Sequence, residues 1–254
     1  MAIDTESAAQ YLIAARKRGT PGERLPEALR PSTVDDGLAV QRRVTELLGL
    51  PVGGYKCSVP NDARPVAYAP IYAPTLARSS PVAVRVPGPM LQVEPEIACV
   101  MGRDLMPRGT PYDEREIRDA VSEARFVLEI VASRYTAFPD VPFAESLADG
   151  IANAGLFLGP ALRDPWRQPL GEIPITVTSG GRMLLSKTGQ HPDRHPLRPL
   201  HWLANYLAQQ RTPLREGMIV TTGSYCGLVE VPLGEPLTFT YGDLGGLSAE
   251  FVKA

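Results

Sequence analysis

Three glutamates have the residue type and spacing for metal-dependent chemistry. Glu94 and Glu96 lie two residues apart in the stretch Leu91–Val100, which alternates like a β-strand. Because residues i and i+2 of a strand point to the same face, these two carboxylates share a face. On spacing alone, the pattern is more typical of a strand with one solvated acidic face than of a binding site.

Glu129 differs from them because it lies within the otherwise apolar run Phe126–Val131. Such a run predicts a strand that is buried on both faces. A buried carboxylate needs a partner, which is either an arginine such as Arg134 or a cation shared with Glu94 and Glu96. Two like charges 4 Å apart repel by about 4 kcal/mol at an effective dielectric near 20, so clustered carboxylates need a cation to stay ionised. Oxygen ligands without a paired histidine or cysteine favour Mg²⁺, Mn²⁺ or Ca²⁺ over zinc.

The elements before residue 53 are predicted to be helical. One helix is predicted from Ser7 to Gly19, with Ser7 and Gln10 as a capping box. A second is predicted from Ser32, with Asp35 three positions on, to Gly49.

After residue 53, short β-branched runs alternate with glycine and proline. Ser179-Gly180-Gly181 between two of these runs predicts a hairpin. Two more helices are predicted over residues 112–124 and 197–209. This order predicts an α+β fold with an N-terminal helical segment at 1–52 and a mostly β domain at 53–254.

Composition excludes several classes of protein. The chain has 254 residues, 44% hydrophobic and 21% charged, with a formal net charge of −2. This balance gives no electrostatic footprint for nucleic acid or for an anionic membrane. The three cysteines have no zinc spacing, and the N-terminus resembles neither a signal nor a transit peptide. A cytoplasmic protein that binds neither nucleic acid nor membrane is therefore expected.

Five short blocks occur in an order typical of one enzyme family. They are Gly54-Tyr55-Lys56; Val93-Glu94-Pro95-Glu96 with Gly102-Arg103-Asp104-Leu105; Leu128–Arg134; His195-Pro196-Leu197 with Trp202-Leu203-Ala204-Asn205; and Val220–Ser224 with Gly242–Gly245. Together they span about residues 53–251. The chain thus resembles the 2-oxopent-4-enoate hydratase / 4-oxalocrotonate decarboxylase family, within the fumarylacetoacetate hydrolase superfamily.

The resemblance implies a fold, a ligand set and an assembly. The fold would be a mixed β-roll core of the fumarylacetoacetate hydrolase C-terminal-like type, with an N-terminal helical segment. Glu94, Glu96 and Glu129 match the metal ligands, for Mg²⁺ or Mn²⁺, and Lys56 matches the active-site lysine. A homo-oligomer is expected, and a complex with a related enzyme of the same pathway stays open.

The implied activity is that of a metal-dependent lyase of aromatic catabolism. It would hydrate a 2-hydroxydienoate, or its 2-oxo-enoate tautomer, to a 4-hydroxy-2-oxo acid, with the metal as Lewis acid at the C2 oxygen. Decarboxylation of a 4-oxalocrotonate-type 2-oxo acid uses the same electron sink and is the first alternative. Further alternatives are an acylpyruvate C–C hydrolase, disfavoured because no histidine precedes His191, and a catalytically impaired metal-binding partner subunit.

Three more residues are candidates for substrate binding. Ser224 could donate a hydrogen bond to substrate or be a turn serine, and Arg134 could pair with a substrate carboxylate or with a structural glutamate. Tyr72 lies in the stretch Tyr68–Pro74, where family members usually carry an acidic residue and this chain has none. That departure bears on the reaction more than on the metal site. The three histidines are interpreted as mainly structural, with His195 capping a helix or lining the site.

Overall fold

The computed structural model describes residues 3–254 of the chain and has an α+β architecture. Its helices are α1 (Thr5–Arg18), α2 (Val34–Leu48), α3 (Glu114–Asp119), α4 (Phe143–Ala148) and α5 (Leu197–Gln209). Its strands are β1 (Val52–Ser58), β2 (Ala67–Tyr72), β3 (Leu76–Ala77), β4 (Val82–Val84), β5 (Met90–Met101), β6 (Val121–Val131), β7 (Asn153–Ala161), β8 (Glu172–Ser179), β9 (Arg182–Gln190), β10 (Ile219–Thr221), β11 (Val229–Pro232), β12 (Leu237–Tyr241), β13 (Gly246–Ala249) and β14 (Phe251–Lys253). None of the helices within residues 3–254 is long and apolar enough to cross a membrane.

The N-terminal helices begin at caps other than those predicted. Asp4 caps α1 by accepting a hydrogen bond from the Ser7 backbone N–H at 3.0 Å, so the predicted box of Ser7 and Gln10 is wrong. α2 has a reciprocal capping box of Thr33 and Asp36, one residue later than predicted. Both helices end as predicted, because Gly19 and Gly49 take the left-handed conformation.

The helix predicted over 112–124 is wrong in its second half. α3 covers only Glu114–Asp119, and the chain enters β6 at Val121. β6 pairs with β5 along its whole length, from Val121 opposite Met101 to Val131 opposite Gln92. A ladder this long outweighs the weak helical preference of the short segment, so tertiary pairing decides its structure. The other two predictions hold: α5 is Leu197–Gln209, and β8 and β9 form the hairpin.

The main sheet is mixed, with the strand order β2-β1-β10-β5-β6-β7-β3, and β11 pairs with the other end of β5. β1 runs parallel to β10 and β3 runs parallel to β7, whereas the remaining neighbours are antiparallel. A second sheet has the order β13-β12-β8-β9, and β14 pairs with β4. The α+β prediction is confirmed.

The two faces of the main sheet have different neighbours. One face packs against the second sheet through β5 and β6 residues such as Ile97 and Phe126, and against α5 through residues such as Cys99. The other face carries a small buried apolar cluster, here called the inner cluster, of Ile71, Ala98, Val127, Leu156, Leu158 and Ile219. α1 and α2 pack together on Tyr135 and Ala148 at the edge of the body. The face that carries the inner cluster is called the inner face below. It is where polar side chains of the central strands can meet.

Candidate metal centre

Glu94, Glu96 and Glu129 meet on the inner face because of the β5–β6 register. Glu94 lies directly opposite Glu129, and Glu96 lies opposite Val127 of the inner cluster. Directly opposed residues of an antiparallel pair point to the same face, so all three carboxylates project together. One carboxylate oxygen from each lies within 4.8 Å of the others. Glu129 is 0% exposed and Glu96 is 2% exposed, which excludes a purely solvated acidic face.

Lys56 reaches the same cluster from β1. It lies opposite Thr221 of β10, which lies opposite Ala98 of β5, so its side chain shares the inner face. Its Nζ donates to Glu129 Oε1 at 2.5 Å and to the Ile151 carbonyl at 3.2 Å. The structure thus brings together the four residues that the family resemblance singled out.

The carboxylate oxygens of the cluster fit a divalent cation. Glu129 Oε1 accepts from Lys56 and from Asn153 Nδ2, the latter at 3.1 Å, whereas Oε2 is buried without a hydrogen-bond partner among the residues described. A buried acceptor without a partner costs about 1–3 kcal/mol. Three carboxylates against one ammonium also leave the cluster negative. A hard cation with oxygen ligands would satisfy both the lone oxygen and the charge.

Burial and the close approach of the three carboxylates shift the pKa values in the cluster. Burial, together with repulsion from Glu129 and Glu94, raises the pKa of Glu96 to about 8. Burial also raises the pKa of Glu94, and Glu129 adds to this while Lys56 opposes it. Burial disfavours the charged form of Lys56, but attraction to Glu129 and Glu94 prevails and raises its pKa. Without a cation, the site therefore holds its lysine as an ammonium and retains a proton on the carboxylates near neutral pH.

Glu96 has partners that the sequence analysis missed. Its Oε2 accepts from the Thr221 hydroxyl and from the Gly223 N–H, the latter at 2.8 Å. Both donors belong to the block Val220–Ser224, so the family resemblance contained a signal for them. Asn153 and the Ile151 carbonyl had no such signal, because a turn far along the chain delivers them.

Arg134 is committed to the protein and not to a ligand. Its guanidinium donates to the Asp149 carboxylate, to the Asp149 carbonyl, and to the carbonyls of Ala132 (2.6 Å) and Asn153 (2.9 Å). The side chain is 6% exposed. Arg134 thus pairs with an acid of the protein, as one of its two interpretations expected, but that acid is Asp149 and not a glutamate, and the substrate-binding interpretation is corrected accordingly.

Ser224 and Tyr72 also lie in protein contacts. Ser224 Oγ lies 3.0 Å from the Gly227 carbonyl and 3.3 Å from that of Pro95, as a turn serine does. Tyr72 is 5% exposed, and its hydroxyl lies 3.1 Å from Thr45 Oγ1 of α2. The stretch around Tyr72 thus packs against the N-terminal helices, and its hydroxyl is engaged away from the carboxylates.

The histidines are held in structural contacts. His191 Nε2 lies 3.3 Å from Thr222 Oγ1, and its Nδ1 accepts from the Asp193 N–H at 3.1 Å. Because the Thr222 hydroxyl donates to the Ile97 carbonyl, His191 is the neutral Nε2–H tautomer. Burial, with a smaller effect from His195, lowers its pKa to about 4. His195 Nδ1 accepts from the N–H of Leu197, the first residue of α5, and His195 itself lies one position before the N-cap Pro196.

Comparison with known proteins finds relatives in sequence. A scan against protein-family models gives no match. Proteins named 2-keto-4-pentenoate hydratase are 32% identical over 163 residues in Paraburkholderia phymatum, and 30% identical over 165 residues in Burkholderia vietnamiensis. A 4-oxalocrotonate decarboxylase from Pseudomonas putida is 26% identical over 164 residues. These matches cover 63%, 64% and 63% of this chain, and they span only 60%, 61% and 60% of the respective relatives.

Comparison with solved structures shows the fold. The chain is similar to 4-oxalocrotonate decarboxylase from Pseudomonas putida G7, complexed with magnesium and adipate, with a TM-score of 0.79. That match covers 98% of this chain and 97% of the other, at 20% identity. Fumarylpyruvate hydrolase from Pseudomonas aeruginosa, in complex with Mn²⁺ and pyruvate, gives a TM-score of 0.56 at 16% identity, over 81% and 91% of the two chains. A putative fumarylacetoacetate hydrolase family protein from Yersinia pestis CO92 gives a TM-score of 0.57 at 16% identity, over 80% and 94% of the two chains. The chain therefore has the fumarylacetoacetate hydrolase fold, and the sequence relatives described above carry both names of the family that it resembles.

Proposed function

We propose that the chain is a divalent-metal-dependent lyase that hydrates a 2-hydroxydienoate, or its 2-oxo-enoate tautomer, to a 4-hydroxy-2-oxo acid. The observation that carries the proposal is the convergence of Glu94, Glu96 and Glu129 with Lys56 on the inner face. Relatives named hydratase and decarboxylase support this reaction class. The division into a helical segment at 1–52 and a catalytic domain at 53–254 belongs to the same proposal.

In this proposal the three glutamates bind the metal and Lys56 transfers protons. Mg²⁺ or Mn²⁺ held by the three glutamates would supply Lewis-acid polarisation of the C2 oxygen of the substrate. Lys56 holds three protons on Nζ, of which Glu129 and Ile151 accept two. The third can be delivered to the terminal dienol carbon while the proton of the C2 hydroxyl passes back to the lysine amine, which leaves a conjugated 2-oxo-enoate ready to accept water. The inner cluster lines the same face of the sheet with buried apolar side chains.

Decarboxylation remains the second candidate because a specific observation favours it. The structure of a 4-oxalocrotonate decarboxylase matches 98% of this chain. The buried stretch Ala67–Tyr72 also brings no carboxylate near Lys56 that could position a water. Loss of CO₂ needs the same polarised C2 oxygen but no such water.

The hydrolase alternative finds no support in the histidines. Hydrolysis of an acylpyruvate needs a base that activates water beside the metal. Yet His191 and His195 are in the contacts described above, and His201 Nε2 lies 2.9 Å from the Tyr112 carbonyl.

Homo-oligomer formation, or a complex with a related pathway enzyme, is expected from the resemblance and is checked by light scattering of the purified protein.

Turnover assays decide between the candidates. The protein is offered 2-hydroxypenta-2,4-dienoate or 4-oxalocrotonate with Mg²⁺ or Mn²⁺, while dienol absorbance and CO₂ release are followed. We expect loss of dienol absorbance without CO₂, and its abolition by a chelator. CO₂ release would favour the decarboxylase. Metal binding without turnover of either compound would favour the catalytically impaired partner subunit.

A further inference from the structure

The turn before β7 has an unusual backbone directly beside the carboxylate cluster. Gly150, Ile151 and Ala152 follow one another with φ of +76°, +51° and +57°. A β-branched residue such as isoleucine rarely adopts this conformation, because its Cβ crowds the carbonyl oxygen. Such strain persists only where surrounding contacts enforce it, and it concentrates at functional sites.

Arg134 supplies the enforcing contacts. Its guanidinium binds the Asp149 carboxylate before the turn and the Asn153 carbonyl after it, at 2.9 Å. The Ala132 N–H donates to the Ala152 carbonyl at 2.9 Å, and the Ile151 N–H donates to the Ser146 carbonyl at 2.8 Å. The turn is therefore fixed at both ends and in its middle.

The turn delivers two groups to the cluster. The Ile151 carbonyl accepts from Lys56 Nζ at 3.2 Å, and Asn153 Nδ2 donates to Glu129 Oε1 at 3.1 Å. Asn153 is 5% exposed, so water does not readily replace its amide. With Lys56 also on Oε1, both donors lie on one oxygen of Glu129, and the buried Oε2 is left without a partner.

We propose that Asn153, held in place by the turn and by Arg134, is a positioning residue that fixes the Glu129 carboxylate so that Oε2 faces the cation. The terminal torsion of a glutamate is a broad rotor, and a single donor, the Lys56 ammonium, does not define the plane of the carboxylate. The second donor, from a rigid turn, does. This inference rests on the proposed metal site.

Replacement of the amide tests the inference through metal affinity. In Asn153→Leu, the side chain keeps its approximate size and loses the donor. We expect Mn²⁺ or Mg²⁺ binding, measured by calorimetry, to weaken about 10- to 100-fold, as when other supporting partners of metal ligands are removed. Asn153→Ala removes the donor without adding volume and should weaken binding in the same direction. Circular dichroism and thermal unfolding of the metal-free variants establish that each is folded.

Asn205→Leu is the matched control. The Asn205 side chain bonds Tyr112 and His201 near α5, away from the carboxylates, so its loss costs hydrogen bonds without touching Glu129. Its metal affinity should equal that of the wild type. Unchanged affinity in a folded Asn153→Leu or Asn153→Ala variant would overturn the inference, and so would failure of both to fold, since Asn153 would then serve the fold. Absence of metal binding in the wild type would instead overturn the proposed function.

Discussion

At the residue scale, the cluster balances repulsion among carboxylates against one buried lysine. Glu129 is central because it opposes Glu94 across the strands, accepts from Lys56, and offers a buried oxygen without a protein partner. The Glu96 carboxylate accepts from Thr221 of β10 and from the Gly223 N–H, whereas Glu94 is half-buried and is the most exposed of the three glutamates. The three carboxylates are thus not equivalent, and changes at each should have different effects.

Glu129→Gln should remove most of the metal affinity. The amide keeps the size of the side chain, and with its oxygen toward Lys56 it turns an N–H₂ group toward the cation position. We expect metal binding to weaken by about 100-fold or more, beyond the effect of losing a supporting partner. Calorimetric titration with Mn²⁺ measures this. Glu172→Gln, at an exposed position of β8, is the control, and equal affinities for the two variants would rule out Glu129 as a ligand.

Lys56→Met should separate catalysis from metal binding. Methionine fills a similar volume without a proton or a charge, so proton delivery is lost while the three carboxylates remain. We expect kcat to fall by about 10²–10⁴, the usual contribution of a positioned acid or base, and metal affinity to be retained or increased because a neighbouring positive charge is gone. Steady-state assays and titrations give both quantities. A variant with normal turnover would exclude Lys56 from proton transfer.

At the element scale, the parallel pairing of β1 with β10 positions Lys56. Gly54 lies opposite Ile219 in this pairing, and a Cβ at Gly54 would lie 1.9 Å from the Ile219 carbonyl oxygen. A contact that close with backbone cannot be relieved by a rotamer change. The glycine in the Gly54-Tyr55-Lys56 block therefore permits the close strand approach that brings Lys56 beside Thr221.

Gly54→Ala should destabilise the protein by about 3 kcal/mol, at the upper end of ordinary overpacking. Urea unfolding monitored by fluorescence gives the change in the free energy of unfolding. Gly109→Ala is the control, since nothing lies within 4 Å of a Cβ there, and it should change stability little. Equal stability of the two variants would show that β1 and β10 separate without cost.

The loop after β9 should make stability depend on pH through His191. Its folded-state pKa of about 4 lies below the ordinary value of 6.5, so the unfolded chain binds more protons between these values. Above pH 6.5 the neutral ring makes its full contribution to the free energy of unfolding. Roughly 3 kcal/mol of that free energy is lost as the pH falls to about 4. Urea unfolding at pH 7 and pH 4.5, compared between wild type and His191→Gln, should show a smaller loss in the variant. Parallel losses in both proteins would exclude His191 as the cause.

At the scale of the whole molecule, the described residues form three sheets and five α-helices, and the three carboxylates lie on one face of the largest sheet. One face of the main sheet is covered by the second sheet and by α5, and the carboxylates lie on the opposite, inner face. A ligand that binds only the folded chain stabilises it by mass action, by about 2.7 kcal/mol at 100 times its dissociation constant. The unfolding temperature measured by calorimetry should therefore rise by several degrees with Mn²⁺ or Mg²⁺, at constant ionic strength. Glu129→Gln should show no such shift, and an equal shift in both proteins would place the cation elsewhere.

The sequence by itself determined the local features that depend on near neighbours. Strand alternation put Glu94 and Glu96 on one face, an apolar run marked Glu129 as buried, and the hairpin at Ser179–Gly181 followed from turn chemistry. The ordered blocks then indicated the fold and the four residues of the site. The first three inferences needed only side-chain periodicity and turn chemistry, whereas the fold and the ligand set rested on the resemblance to a known family.

Only the tertiary structure decided what each of these side chains contacts. The β5–β6 pairing turned the end of a predicted helix into strand, and the site partners Asn153 and Thr221 come from strands distant in sequence. Arg134 is committed to a strained turn rather than to substrate, because its donors meet carbonyls whose positions depend on the folded backbone. Hydrogen-bond partners across the chain are set by strand register and packing, which single-sequence patterns do not encode.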